Sequence, residues 1–134
     1  MAEGDTLINA VIGALVNVVA GSVIPFAPLF GGGVAGYLEG GSREDGLKVG
    51  AMAGAIALIP VILLILLFGG IFFAIVGGAS MAGGMPGGMP FVAAGGFWFL
   101  VFFLLIFGAI YFVGLSAVGG WLGNYVKYDT DVDI

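Results

Sequence analysis

Residues that could do chemistry are few in this sequence. It contains no cysteine and no histidine, which removes disulfides, thiolate ligands, the usual general base and the usual transition-metal ligand. Met81, Met85 and Met89 are evenly spaced thioethers, a ligand type that suits Cu(I). The glycines and prolines between them, however, prevent a helix from bringing the three sulfur atoms together. The pattern therefore predicts no copper site.

The acidic tail offers a second candidate metal site. Asp129, Asp131 and Asp133 alternate as the opening ligands of a calcium loop do, but no glycine and closing glutamate follow them. A solvated tail is the simpler interpretation. The three basic residues are too few and too scattered for nucleic-acid binding. We expect no metal, no cofactor and no enzymatic activity, since acid–base groups could come only from the polar segment 39–48.

Two asparagines are the strong polar residues of the first apolar segment. Together with Gly13 and Gly21, Asn9 and Asn17 form a series spaced by four residues, about one helical turn. Such a residue can line a polar path or donate a hydrogen bond to a neighbouring helix. Interhelical bonds of this kind contribute about 0.6 kcal/mol each in membrane proteins. We favour this second, structural role.

The most specific pattern consists of glycines on either side of the polar segment 39–48. Two triplets repeat every four residues and so place a flat glycine surface on one face of each helix: Gly32, Gly36 and Gly40, then Gly46, Gly50 and Gly54. Small residues let helix backbones approach closely, so the triplets are candidates for self-association or partner docking. The alternative is that they serve only packing within the chain. Gly123 lies outside both triplets.

The sequence around these triplets resembles a known family. The run Pro-Leu-Phe-Gly-Gly-Gly-Val-Ala-Gly-Tyr-Leu-Glu-Gly-Gly at 28–41, Asp45-Gly46, and Gly-Ala-Met-Ala-Gly at 50–54 are similar to small haloarchaeal membrane proteins catalogued only as a domain of unknown function. The resemblance covers chiefly residues 7–78. It implies a halophilic, archaeal membrane setting, and it carries no activity, substrate or ligand.

The elements that must position these residues are membrane helices. The chain is 61% hydrophobic and 8% charged, whereas soluble domains carry about 25% charged residues. Uncharged stretches at 6–38 and 49–126 are long enough for several crossings at about 20 residues each. We predict an all-α integral membrane bundle of about four transmembrane helices, forming a single domain at 1–134 with helices near 7–20, 29–39, 46–70 and 97–120.

The connections between the predicted helices differ in character. A short hairpin is broken by Gly21, Pro25 and Pro28, a polar turn covers 39–48, a Met/Gly loop covers 79–90, and an acidic tail covers 124–134. Two full crossings need about 40 residues, more than the hairpin has. Either both its helices are short or its turn lies inside the membrane.

The distribution of charge predicts a topology. With four crossings, the N-terminus, the 39–48 turn and the tail lie on one side, together with every charged residue. Arg43, Lys48 and Lys127 border helix ends on that side, so the positive-inside rule makes both termini cytoplasmic in the cell membrane. The Met/Gly loop is then exterior. The net charge of −5 suits a cytoplasm of very high salt, where repulsion between carboxylates is screened.

These observations favour a non-enzymatic structural or interaction protein of the lipid bilayer. Glycine-zipper packing would support a homo-oligomer or a small subunit docked on a membrane-protein partner. The alternative function is a small channel or transporter that uses the broken Gly21–Pro28 segment at membrane depth. Against the alternative, neither apolar stretch contains an ionisable side chain of the kind that marks ion paths.

Overall fold

The computed structural model describes residues 3–82 and 89–129. Within these residues the chain forms four helices and no strand, which confirms the all-α class for the part described. The helices are α1 (Glu3–Gly21), α2 (Ala27–Glu39), α3 (Arg43–Ala82) and α4 (Met89–Asp129).

The turn between α1 and α2 is short and tightly bonded. The N–H groups of Val23 and Ile24 both donate to the carbonyl oxygen of Ala20, at 3.0 and 2.8 Å. Pro28 follows in the first turn of α2, where its missing N–H costs no helical hydrogen bond. The hydroxyl of Tyr111 in α4 donates to the carbonyl oxygen of Pro25. The broken segment is therefore an ordered turn attached to another helix.

The turn between α2 and α3 depends on glycine and on a helix cap. Gly40 and Gly41 have φ of 69° and 72°, a left-handed conformation that favours glycine. Ser42 then caps α3: its hydroxyl and its N–H donate to Asp45 Oδ2 at 2.7 and 3.0 Å, and the Asp45 N–H donates back to Ser42 Oγ at 3.3 Å. This reciprocal pattern is a capping box with aspartate at its fourth residue.

The long helices extend beyond the predicted ends. α3 continues to Ala82 where an end near residue 70 was predicted, and α4 covers Met89–Asp129 where 97–120 was predicted. Glycine within a helix costs only about 1 kcal/mol against alanine, so the Gly69–Gly70 pair does not end α3. Residues 79–82 and 89–90 of the predicted loop and 124–129 of the predicted tail are therefore helical, and residues 83–88 and 130–134 lie outside the described residues. The polar turn predicted at 39–48 is also wrong in its extent, because residues 43–48 form the first turns of α3 once Ser42 caps it.

The chain divides into two compact units. The first contains α1, α2, residues 43–59 of α3 and residues 108–129 of α4. Its core is made of small side chains that let the helices lie close together. The fully buried members of this core are Ala10, Ala35, Val49 and Ala53, against which Ile56 packs.

The second unit contains residues 60–82 of α3, including Pro60, and residues 89–107 of α4. Phe99, Phe103 and Phe107 form a row of ring contacts along α4, with centroids 4.7 and 5.9 Å apart. Many large apolar side chains in this unit are more than half exposed: Leu63, Phe68, Phe72, Trp98, Phe99 and Phe107. An apolar surface of this extent is unusual on a water-soluble monomer.

Two of the helices are long and apolar enough to cross a membrane. The segments are Arg43–Phe72, which contains an 18-residue window of mean hydropathy 2.9, and Gly95–Asp129, which contains one of mean hydropathy 2.5. α1 contributes a shorter apolar segment, Asp5–Gly21.

Candidate functional site

Two glycines of the first triplet, Gly32 and Gly36 of α2, pack against the C-terminal part of α4. A Cβ atom built on Gly32 would approach the backbone of Ser116 within 3.0 Å, and one built on Gly36 would do the same at Gly120. Real Cβ atoms essentially never approach that closely. α2 and α4 are therefore in direct backbone contact at these two positions.

The second triplet reaches the same part of α4 from α3. A Cβ on Gly46 would lie 2.7 Å from the Gly120 carbonyl oxygen, and one on Gly54 would lie 2.5 Å from that of Phe112. A Cβ on Gly50 would lie 2.9 Å from the Gly120 Cα. Gly120 is thus enclosed between α2 and α3. Both triplets pack against their own chain.

Gly40 departs from the predicted triplet. It follows the last residue of α2 and lies in the turn, where its left-handed φ is required. A Cβ there would meet Tyr128 Oη at 2.8 Å and Lys127 Nζ at 2.9 Å, which are side-chain atoms rather than helix backbone. Gly40 therefore serves the turn and not the helix contact.

Sequence reasoning missed the α4 side of these contacts. We call it the α4 seam: Ser116, Gly119, Gly120, Gly123 and Asn124. A Cβ on Gly119 or on Gly123 would meet the backbone of α2, at Leu29 and Gly33 respectively. Gly123 belongs to neither triplet, yet it is packed as tightly as the triplet glycines that contact α4. The signal was present, because Gly119–Gly123 and Ser116–Gly120–Asn124 also repeat every four residues.

The side chains of Asn17 and Asn124 are both buried, but their hydrogen bonds differ in quality. Asn124 donates to the Gly40 carbonyl oxygen at 2.9 Å. Asn17 donates to Ser116 Oγ at 3.4 Å, a long and weak bond, and its own side-chain Oδ1 accepts no hydrogen bond from the described residues. The Asn17 carbonyl lies directly against Gly31, where a Cβ would clash with it. Close packing thus encloses the unpaired oxygen.

Asn9 lies at a polar cluster that joins α1 to the end of α2. Its side-chain amide donates to Glu39 Oε2 at 2.8 Å, and the Thr6 hydroxyl donates to Glu39 Oε1 at 2.5 Å. Glu39 is 9% exposed, so these two donors replace the water that a carboxylate would otherwise bind. Asn9 and Asn17 both make interhelical hydrogen bonds, although to different helices.

Charged groups gather at the end of the first unit where all four helices begin or finish. Arg43 pairs with Asp129, and its guanidinium lies 5.8 and 5.1 Å from the rings of Trp121 and Tyr125. The Gly41 N–H donates to the Tyr128 hydroxyl at 3.2 Å. With the Glu39 cluster, these contacts bring the beginning of α1, the 40–42 turn between α2 and α3, and the last turn of α4 to one end. We call this region the charged end.

Residues 3–82 and 89–129 contain no cluster of three carboxylates that could hold a metal ion. Of the methionine and aspartate patterns, Met85, Asp131 and Asp133 lie outside these residues.

The fold and its contacts define a class: an all-helical, glycine-packed bundle in which two helices are long and apolar enough to cross a membrane. The chain belongs to a family of unknown function, DUF5518, whose model matches residues 7–126. The resemblance to a family without assigned function is thereby confirmed, and it extends past residue 78 through most of α4. No curated protein and no solved structure matches the chain.

Proposed function

We propose that the chain is a non-enzymatic integral membrane protein that acts as a structural or interaction subunit, either with copies of itself or within a larger membrane complex. The supporting observation is the combination of two membrane-length apolar helices with charges gathered at one end of the first unit. Apolar side chains that are exposed along these helices would face lipid tails.

The glycine contacts support a particular form of this proposal. The helical members of both triplets are covered by α4 of the same chain, so they stabilise the subunit and are not free to join copies: Gly32, Gly36, Gly46, Gly50 and Gly54. Association would then use other surfaces.

The proposed topology places the charged end on the cytoplasmic side, with α3 and α4 crossing the membrane. α2 has 13 residues and is about 20 Å long, which is shorter than the ~30 Å hydrocarbon core. Tyr111, which holds the Pro25 carbonyl, lies about 15 Å along α4 from Trp121. If Trp121 marks the interface, the α1–α2 turn lies near mid-depth.

A re-entrant hairpin follows from these lengths. α1 and α2 would enter from the charged end and turn back inside the membrane, where irregular backbone is tolerated only when protein satisfies it. The Tyr111 hydroxyl provides that partner for Pro25. This arrangement keeps both termini and the 40–42 turn on one side without requiring four full crossings. A halophilic archaeal setting, which the acidic composition favours, belongs to the same proposal.

Membrane extraction and particle mass test the proposed function. Membranes of expressing cells are washed with alkaline carbonate, and the chain is then solubilised in mild detergent and weighed by light scattering. We expect retention in the washed membrane and a particle larger than one chain, built either from copies or from the chain with a partner. Release by carbonate would refute the membrane role. A lone monomer that co-purifies with no partner would refute the subunit role.

A small channel or transporter is the second candidate, favoured by the buried side-chain oxygen of Asn17, which accepts no hydrogen bond from the described residues. It lies one helical turn before Gly21, where the broken segment starts. Ion flux into proteoliposomes separates the candidates. The subunit proposal expects flux equal to that of empty liposomes, whereas a channel would show flux that Asn17→Ala changes.

A further inference from the structure

An apolar groove runs along the outer face of the contact between α2 and α4. We call it the α2–α4 groove. It has a volume of about 480 Å³, within the range of small-ligand sites. Gly33, Gly119 and Gly123 contribute to its lining, and larger apolar side chains complete it: Leu29, Phe30, Val34, Tyr37, Leu38, Leu122 and Val126.

A single cation stands beside Tyr37, near the C-terminal ends of both helices. Lys127 Nζ lies 5.6 Å from the ring of Tyr37, which lines the groove, and 5.7 Å from the ring of Tyr128. Of the two other basic residues, Arg43 pairs with Asp129 and Lys48 with Glu44. Lys127 takes part in neither ion pair.

We propose that the α2–α4 groove binds one acyl chain of an anionic phospholipid, with the lipid phosphate at Lys127. The charge complementarity is specific: an ammonium group flanked by tyrosines stands where a headgroup would lie, and an alkyl-lined groove leads away from it. Basic residues near the surface attract anionic lipid, and aromatic rings favour the headgroup level. The inference rests on the proposed membrane function and adds a ligand to it.

Gly33 allows the groove to be filled without disturbing the bundle. A Cβ on Gly33 would meet only the Gly119 carbonyl oxygen, at an ordinary 3.5 Å. Gly33→Leu should therefore fold normally while its side chain occupies the groove. Gly119 and Gly123 cannot be used in this way, because a Cβ on either would meet α2 backbone.

The experiment uses a full-length reporter chain with Phe30→Trp in the groove and the native Trp98 and Trp121 changed to Phe. Purified in detergent, it is titrated with phosphatidylglycerol or phosphatidylcholine brominated on the acyl chains, and tryptophan quenching is followed. We expect phosphatidylglycerol to reach half-maximal quenching at about fivefold lower concentration. Lys127→Gln should abolish that preference, and Lys48→Gln, the matched charge control, should retain it. Gly33→Leu should abolish quenching at low lipid concentration.

Several outcomes would overturn the proposal. Equal quenching by the two lipids would mean unselective lipid contact, and equal loss of preference in Lys127→Gln and Lys48→Gln would mean an effect of net charge. Full quenching in Gly33→Leu would place the lipid elsewhere, and a smaller particle mass in Gly33→Leu would assign the groove to a second copy. Failure of carbonate retention would instead refute the membrane function, since lipid binding in detergent is measured separately.

Discussion

Buried asparagines in this bundle are satisfied to different degrees, and that difference is what decides their energetic role. Asn124 pairs with the Gly40 carbonyl at the normal distance of 2.9 Å, whereas the bond from Asn17 to Ser116 is 3.4 Å long. Removing a donor from a buried acceptor costs about 1–3 kcal/mol. A long interhelical bond is closer to the ~0.6 kcal/mol average for membrane helices.

The same truncation at both asparagines should therefore have unequal effects. Asn124→Ala leaves the Gly40 carbonyl without its partner, and we expect it to lower the unfolding free energy by about 1–3 kcal/mol. Asn17→Ala should cost less, because Ser116 Oγ can bond to its own helix. Thermal unfolding in detergent compares the two variants. They are matched, because both side chains are buried and both lose the same atoms. Equal destabilisation would show that volume, and not hydrogen bonding, sets the cost.

Gly36 and Gly50 leave no room for a side chain, because a Cβ on either would meet α4 backbone. Gly36→Leu and Gly50→Leu should insert normally and then lower stability by about 1–3 kcal/mol or more, since overpacking here meets backbone that cannot rotate away. Because both glycines pack inside the chain, stability should fall before particle size changes. The measurement is thermal unfolding paired with light scattering.

A matched control for these variants is Gly114→Leu. Gly114 lies in α4, and a Cβ there meets nothing within 4 Å. It should leave stability unchanged, whereas Gly123, despite its place outside both triplets, would be a poor control. Particles that dissociate in Gly36→Leu or Gly50→Leu without loss of subunit stability would instead place these glycines between copies.

At the scale of elements, four helices could be predicted from hydrophobic stretches and breakers, but their ends and contacts could not. Proline and glycine marked the α1–α2 turn correctly. At the other end of the chain, Pro90 falls in the first turn of α4, where proline is compatible with a helix. A local pattern does not show whether a proline precedes a helix or interrupts one. The 79–90 loop was therefore predicted too long.

The glycine contacts show the same limit. Spacing of four identified the faces of α2 and α3 that pack closely, because periodicity is a local property. Which helix fills each face depends on tertiary structure, and two faces from different helices meet at Gly120. Glu39 was missed as a buried residue because its partners, Thr6 and Asn9, lie 33 and 30 positions away.

Tyr111 contacts the turn between α1 and α2, and its hydroxyl should stabilise that turn. Tyr111→Phe removes the hydroxyl that donates to the Pro25 carbonyl. Inside a bilayer no water can replace it, so we expect a loss of about 1 kcal/mol and faster amide exchange in the turn. The control is Tyr125→Phe, whose hydroxyl makes no hydrogen bond among the described residues. If Tyr111→Phe in nanodiscs left both the stability and the amide exchange of the turn unchanged, water would have to reach the turn.

The whole molecule carries a net charge of −5, with acidic residues concentrated toward its ends. Repulsion among Glu3, Asp5, Asp129, Asp131 and Asp133 extends about 10 Å at 0.1 M salt and about 3 Å at 1 M. We expect the unfolding temperature to rise with salt. Screening also weakens the exposed Arg43–Asp129 pair, but such pairs contribute little.

The salt prediction is checked by thermal unfolding and light scattering from low to molar salt. The protein should stay monodisperse at molar salt. Asp131→Asn with Asp133→Asn should flatten the dependence, because two of the repelling charges are then gone. An unfolding temperature that does not change with salt would remove the argument for a halophilic setting.

The central claim is that α3 and α4 cross a membrane while the charged end stays cytoplasmic and the α1–α2 turn stays within the bilayer. Because the chain has no cysteine, the most direct test is labelling of Ser22→Cys, Ser42→Cys, Ser80→Cys and Thr130→Cys with an impermeant thiol reagent. On intact cells we predict labelling at position 80 alone. After permeabilisation, positions 42 and 130 should also react, and position 22 should react only when the protein is denatured. Labelling of position 22 on intact cells, or of position 130 without position 80, would contradict the account.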